Sequence, residues 1–120
     1  MGGKVVNQIS YFKVRKAIEQ WLMDNKTMFK NNNILVDEVN KTREQLFIIL
    51  NFQKCLSAIV VAKDTFAPYR YVSFEMGDIV DGIHKMIYSW YDNENTTINE
   101  IVRSLDESIE FALNYNSSLL

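Results

Sequence analysis

The stretch that decides the fold reads Tyr69-Arg-Tyr-Val-Ser-Phe-Glu-Met76, then Asp81-Gly82, then Ile83-His-Lys-Met-Ile-Tyr-Ser-Trp-Tyr91. Both flanking runs are rich in aromatic and β-branched residues, which favour strands. An Asp-Gly pair between two such runs is typical of a type I′ turn, because both central residues of that turn need positive φ. The sequence therefore predicts a β-hairpin that reverses at residues 81 and 82.

The second run also matches a helix capped by Asp78, because apolar residues recur there at helical spacing: Ile79, Ile83, Met86, Ile87 and Trp90. We favour the strand for two reasons. Residues 88–91 are poor helix formers, and Gly82 would cost about 1 kcal/mol inside a helix. The choice matters, because a helix would scatter the aromatic rings that a strand sorts onto two faces.

Upstream of the hairpin, the sequence predicts one helix and three strands. The helix covers residues 10–30, where apolar residues recur every three to four positions. Ser10 caps its start, and Asn31-Asn-Asn33 ends it, since asparagine tolerates the left-handed backbone found at helix ends. The strands are predicted at residues 34–39, 46–52 and 56–62. The middle strand is apolar at both alternating sets of positions, which is typical of a strand covered on both faces.

The last helix opens on a capping box. Thr97 and Glu100 have the spacing at which each side chain bonds the other residue's free backbone N–H. A single apolar stripe follows, formed by Ile98, Ile101, Val102, Leu105, Ile109 and Ala112. We therefore predict an α+β fold with an N-terminal helix, a roughly five-stranded antiparallel meander and a C-terminal helix. Residues 1–120 make a single domain, and we expect 1–7 and 116–120 to fray.

Composition narrows the classes of function. Residues 1–69 hold ten Lys and Arg against six Asp and Glu, whereas residues 70–120 hold three against nine. The acidic second half argues against nucleic-acid binding and suits docking onto a basic protein. No apolar run reaches the length of a membrane span, and residues 1–7 lack a signal core. With a single cysteine, Cys55, the chain fits a reducing compartment, so we expect a cytoplasmic protein that does not bind a membrane.

The hairpin sorts its side chains onto two faces. A two-residue turn would pair Met76 with Ile87 and Val72 with Tyr91. One face then looks like core, and it holds Val72, Phe74, Met76, Ile87 and Tyr91. The other face is dense in aromatic rings and holds Tyr71, Ser73, Glu75, His84, Met86, Tyr88 and Trp90. Rings with an apolar body and a polar tip are typical of binding interfaces. The alternative is that a helix packs on this face and leaves only the tips exposed.

Signals for catalysis are weak. His84 is the only histidine, so a metal site would need carboxylates that are only loosely placed around it. Lys54 adjoins Cys55 but would point to the opposite face of a strand, so we expect a buried or semi-buried, inert thiol. Phosphate-binding loops, nucleophile elbows and zinc-binding helices are all missing from the sequence. We predict no enzyme, no metal and no cofactor. A small enzyme that uses His84 with Glu75 or Asp78 is the weaker alternative.

The order of elements, with the aromatic hairpin of residues 69–75 and 86–94 before a capped acidic helix, resembles small cytosolic immunity proteins of bacterial toxin–immunity systems. This resemblance implies a protein that binds and neutralises one toxin. We predict a partner-binding patch of Tyr71, Glu75, Tyr88 and Trp90, with Asp92 and Glu94 as an acidic rim that speeds encounter with a basic toxin domain. The chain is also similar to type III secretion chaperones in size, acidity and mixed composition, and that likeness implies a homodimeric adaptor.

Overall fold

The computed structural model describes residues 10–63, 70–78 and 85–118. Three helices and five strands occupy them, in the order α1 (Tyr11–Asp24), α2 (Lys26–Asn31), β1 (Leu35–Lys41), β2 (Gln45–Asn51), β3 (Cys55–Ala62), β4 (Val72–Asp78), β5 (Lys85–Tyr91) and α3 (Ile98–Ser118). The predicted turn at Asp81-Gly82, the lone His84 and the terminal residues 1–7 and 119–120 lie outside the described residues.

The five strands form one antiparallel sheet in the order β1-β2-β3-β4-β5. Each strand pairs with the next one along the chain, so the predicted meander is confirmed, as is the α+β class with a helix at either end. Residues 85–91 are strand, and the alternative of a helix through this segment is wrong. The aromatic and β-branched content of the run therefore outweighed its helical spacing of apolar residues.

Local sequence signals set the ends of the elements. The Ser10 side chain accepts a hydrogen bond from the Lys13 amide at the start of α1. The φ angle of Asn33 is 57°, the left-handed conformation expected where the asparagine run ends the helical segment. The capping box is present at α3, since the Thr97 amide donates to Glu100 and the Glu100 amide donates to Thr97. A break at Asn25 divides the predicted first helix into α1 and α2.

The helices pack on one face of the sheet, which we call the helix face. Burial alternates strictly along β2 and β3, because successive side chains of a strand point to opposite faces. The fully buried set includes Leu46, Ile48 and Leu50 of β2, and it packs with apolar residues of all three helices in one core. The alternate set is only partly buried, and in the described part of the chain no helix lies over it.

Trp21 joins the two long helices within this core. Its ring packs edge-on against Phe29 at a centroid distance of 5.6 Å, and its indole N–H donates to an Asp106 carboxylate oxygen at 2.8 Å. The polar end of the indole therefore has a partner although the side chain is only 4% exposed. This bond ties α1 to α3 across 85 residues of chain.

Asp92 holds the entry to β4 in place. Its carboxylate accepts hydrogen bonds from the successive backbone N–H groups of Arg70, Tyr71 and Val72, at distances of 2.8 to 3.1 Å. The side chain is only 3% exposed, so these amides replace the water that a carboxylate otherwise keeps. Asp92 therefore fixes the end of β5 against the start of β4.

Replacing Asp92 with asparagine should lower the free energy of unfolding by about 2 kcal/mol, because the charge that three amides share is lost. Urea unfolding followed by circular dichroism measures this change. Glu94→Gln, two residues away and exposed, is the matched control and should stay within about 0.5 kcal/mol of the original protein. Equal midpoints for the two variants would contradict a structural role of Asp92.

Candidate functional site

The predicted aromatic patch depends on the register of β4 with β5, and the structure changes that register. Asp78 pairs with Lys85 and Gly77 with Met86, as the two-residue turn predicts. An irregularity follows between Met76 and Gly77, so that Met76 pairs with Tyr88 and not with Ile87. One extra residue in β5 is a β-bulge, and every later side chain of the strand moves to the opposite face.

Tyr88 and Trp90 therefore lie on the helix face. Trp90 stacks on the buried Phe74 with ring centroids 4.9 Å apart, and Tyr88 lies 5.1 Å from Phe111 of α3. Tyr91, expected in the core, lies on the other face and donates from its hydroxyl to Glu75. The expectation that Tyr88 and Trp90 share an exposed face with Glu75 is wrong, because the bulge separates them.

The remaining predicted site residues are dispersed. Tyr71 packs edge-on against Tyr11, with ring centroids 6.0 Å apart, and the Arg70 guanidinium lies over its ring. Asp92 is buried under its three amide bonds, so it is not part of an exposed acidic rim. Glu94 is exposed, and its backbone carbonyl accepts a hydrogen bond from Arg70. Trp90 keeps a partly exposed edge that lines a polar groove of about 480 Å³ along α3.

Truncation of Trp90 to alanine should destabilise the fold by about 2 kcal/mol, because the stacked contact with Phe74 is lost. The measurement is the urea midpoint. Met86→Ala on the same strand is the control, because the Met86 side chain is 56% exposed and should leave the midpoint nearly unchanged. A Trp90→Ala midpoint equal to that of the original protein would show that this ring does not support the core.

Groups with catalytic potential do not converge. Glu75 and Asp78 lie on opposite faces of β4, since they are three residues apart in a strand. Asp78 accepts a hydrogen bond from the Tyr115 hydroxyl, which raises the pKa of Tyr115 to about 12. Burial, with a smaller contribution from Asp78, raises the pKa of Cys55 to about 11. The thiol is buried, as expected, and its raised pKa keeps it protonated near neutral pH.

A groove with a mostly apolar lining lies between α1, α2 and the edge strand β1. Its volume is about 800 Å³. We call it the β1 groove. Its apolar residues are Leu22, Met23, Phe29, Ile34, Leu35 and Val36. Met23, Leu35 and Val36 are 66%, 65% and 44% exposed, which is unusual for apolar residues that lie next to one another.

The backbone of β1 leaves hydrogen-bonding groups open beside this groove. The Phe52 amide donates to the Cys55 carbonyl of β3. Successive residues of a strand direct their backbone groups to alternate sides, so the backbone groups of Asn51 point toward β1. Because Asn51 pairs with Leu35, the backbone groups of Leu35 and Asp37 point to β2. Those of Val36 and Glu38 must then point away from the sheet. β1 is the first strand in the sheet order, so no described strand pairs with this edge.

Charge is distributed unevenly around the groove. Glu19 pairs with Arg15 at 3.2 Å, and Glu38 lies 4.0 Å from Lys41. Lys26 and Lys30, one turn apart on α2, line the groove and form no ion pair with any described residue. Because residues 32–34 link α2 to β1, this unneutralised positive charge lies at the end of the groove where β1 begins.

A second apolar surface lies on the face of the sheet opposite the helices. We call it the open face, and its apolar side chains are Phe47, Ile49, Leu56, Ala58 and Val60. All five are partly buried by their neighbours in the sheet. The sequence predicts cover on both faces of this central region, and among the described residues the cover is present on the helix face only.

The described residues provide neither a cluster of metal ligands nor a membrane-spanning helix. Within residues 10–63, 70–78 and 85–118, no three His, Cys, Asp or Glu side chains lie close enough to share a metal ion. None of the helices described combines the length and hydropathy needed to cross a bilayer.

Comparison with known proteins yields no matching family model, no matching curated protein and no matching solved structure.

Sequence reasoning missed the β1 groove. A signal was present in Leu35-Val-Asp-Glu-Val-Asn-Lys41, where charged and amide residues interrupt the apolar ones. Charged residues on a strand are typical of an edge, because they discourage unwanted strand pairing. Only the structure could show that α2 lies beside this strand and forms the second wall of the groove.

Proposed function

We propose that this protein is a non-enzymatic binding module that holds another protein through the β1 groove. The observation that carries the proposal is the coincidence of exposed apolar side chains with a strand edge at Val36 to which no described strand pairs. Apolar surface contributes affinity, and backbone groups at the strand edge can form hydrogen bonds that orient a bound polypeptide. The two features together favour a protein partner. A small-molecule site fits less well, because the groove is open and a small ligand favours an enclosed cavity.

We further propose that the partner is a toxin and that this chain acts as its immunity protein in the cytoplasm. Two observations support this role. The layout of helix, meander, aromatic hairpin and capped acidic helix resembles such proteins. The net charge of residues 70–120, three positive against nine negative side chains, would speed encounter with a basic toxin domain. The chain has a single cysteine, and its side chain is buried, which suits a reducing compartment.

Val36→Asp is the variant that tests the groove. A charge placed among Leu22, Met23 and Phe29 should reduce capture of the partner at least about tenfold, because a carboxylate would replace apolar surface that the partner covers and would be desolvated in the complex. The measurement is quantitative mass spectrometry of proteins cross-linked to a tagged chain in its native cells. Met86→Asp is the matched control, because Met86 is also an exposed apolar residue (56%, against 44% for Val36) and lies on β5 at the opposite edge of the sheet. This variant should capture as much partner as the original protein does.

The toxin role then has its own test. The captured protein is expressed in a bacterial host, alone and together with this chain. The proposal requires growth arrest by the partner alone, rescue by the original chain and by Met86→Asp, and no rescue by Val36→Asp. Undiminished capture by a folded Val36→Asp protein would contradict the groove as the binding site. A partner that does not affect growth would contradict the immunity role.

The open face favours a second candidate function, a homodimeric adaptor like a secretion chaperone. Two copies that stack their open faces would bury Phe47, Ile49, Leu56 and Val60 from each chain. Sedimentation velocity decides this alternative: a stable dimer that Phe47→Asp dissociates would support it, and a monomer at all concentrations would oppose it. An enzyme that uses His84 with Glu75 or Asp78 is the weakest candidate, because each of these carboxylates already accepts a hydrogen bond from a tyrosine hydroxyl.

A further inference from the structure

We propose that the β1 groove takes an extended segment of the partner protein, which adds as a sixth strand to the start of β1 with a carboxylate beside Lys26 and Lys30. This inference rests on the proposed protein-binding function and names the form and charge of the segment that is bound. Strand addition at a free sheet edge is a general mode of peptide recognition, in which backbone bonds give affinity and pockets for alternate side chains give specificity.

The free edge begins at Val36. Two residues earlier, the Ile34 amide donates to the Phe29 carbonyl of α2 at 2.9 Å, so α2 itself occupies the edge before β1 starts. The outward groups of Val36 and Glu38 come next, and the described residues provide them with no strand partner. The register of β1 with β2 then shifts between Glu38 and Asn40, and this bulge disrupts further regular pairing. The straight edge is therefore limited to residues 35–38.

The apolar wall lies beside the same short edge. Val36 pairs with the buried Leu50, which places the Val36 side chain on the helix face, toward the groove. A sixth strand would direct every second side chain to this face, where Leu22, Met23 and Phe29 line the groove. Alternate apolar residues are therefore expected in the segment that binds.

Charge selects between acidic and basic segments. Lys26 and Lys30 are both exposed, lie one turn apart and have no ion-pair partner among the described residues. Both acidic residues of the groove, Glu19 and Glu38, already lie next to a cation. The unneutralised charge is therefore positive, and it lies at the start of β1. In an antiparallel addition this position meets the carboxyl end of the segment, so an acidic residue is expected there.

Hydrogen exchange with a defined peptide tests this proposal. The probe is an acetylated, amidated eight-residue peptide in which valine alternates with serine and the last two residues are aspartate. Exchange of the Val36 and Glu38 amides, followed by NMR, should slow at least about tenfold when the peptide is in excess. Leu35 and Asp37, already bonded to β2, should change little, and Lys41 lies beyond the bulge and serves as an internal control.

Two altered peptides and two variants separate strand addition from general adhesion. A peptide with N-methyl groups on alternate residues should not protect the amides, because it cannot bond the edge. A peptide ending in two lysines should protect them at least about tenfold less than the aspartate peptide. The Lys26→Glu/Lys30→Glu variant should reverse this preference, whereas Lys13→Glu/Lys16→Glu, an exposed pair on α1, should keep it.

Each contrary outcome has a distinct meaning. Protection that does not depend on peptide charge, or absence of protection by any peptide, overturns the proposed segment. Protection of Val36 and Glu38 that grows with protein concentration and needs no peptide identifies a second copy as the occupant and also overturns it. If Val36→Asp still abolishes capture of the native partner in these cases, the binding function stands and only the strand-addition inference fails.

Discussion

The burial of one face of the sheet under α1 and α3 is the interaction on which the rest of the structure depends. Val14 and Ile18 of α1 and Ile101 and Leu105 of α3 are fully removed from solvent. Each buried side chain of this size contributes about 1.5 to 3 kcal/mol, so this layer is a large favourable contribution to folding. The Trp21–Asp106 hydrogen bond joins α1 to α3 and helps to fix how these two helices are oriented across the strands.

One-sided burial also decides which surfaces stay available. The helices cover the middle of the sheet, and β1 lies at its edge, where six of its seven residues are exposed. α2 contacts this strand without covering it, and the space between them is the β1 groove. The open face has the same origin, because a sheet packed on one side presents alternate residues on the other. Both surfaces considered for partner binding are therefore consequences of one packing layer.

Buried polar groups then refine the arrangement. The Asp92 carboxylate accepts hydrogen bonds from three backbone amides, and these bonds hold the end of β5 against the start of β4. Tyr115 and Asp78 make a similar link between α3 and the other end of β4. Residues expected to recognise a partner are thus used for architecture. Acidic and aromatic residues serve both purposes, and their position in the sequence does not distinguish the two.

The fold itself could be predicted from sequence to a large extent, because its signals are local. Capping by Ser10, the capping box of Thr97 and Glu100, and alternation in β2 each depend on residues within one turn or one strand. The predicted site depended on a longer inference, in which the faces of β5 followed from counting pairs outward from the turn. Ile87 is an extra residue in β5, so every later pair shifts by one. Because side chains in a strand alternate between the two faces, this shift places the later side chains on the face opposite to the predicted one.

The sequence by itself determined the class and order of elements, because capping, turn formation and strand propensity depend on neighbouring residues. It did not determine which aromatic rings point toward α3, since a bulge costs little locally and is selected by packing of Trp90 on Phe74 and of Tyr88 on Phe111. The groove was also decided by tertiary structure. Its walls come from a helix and a strand whose separation is set by the core between them and by no local pattern of residues.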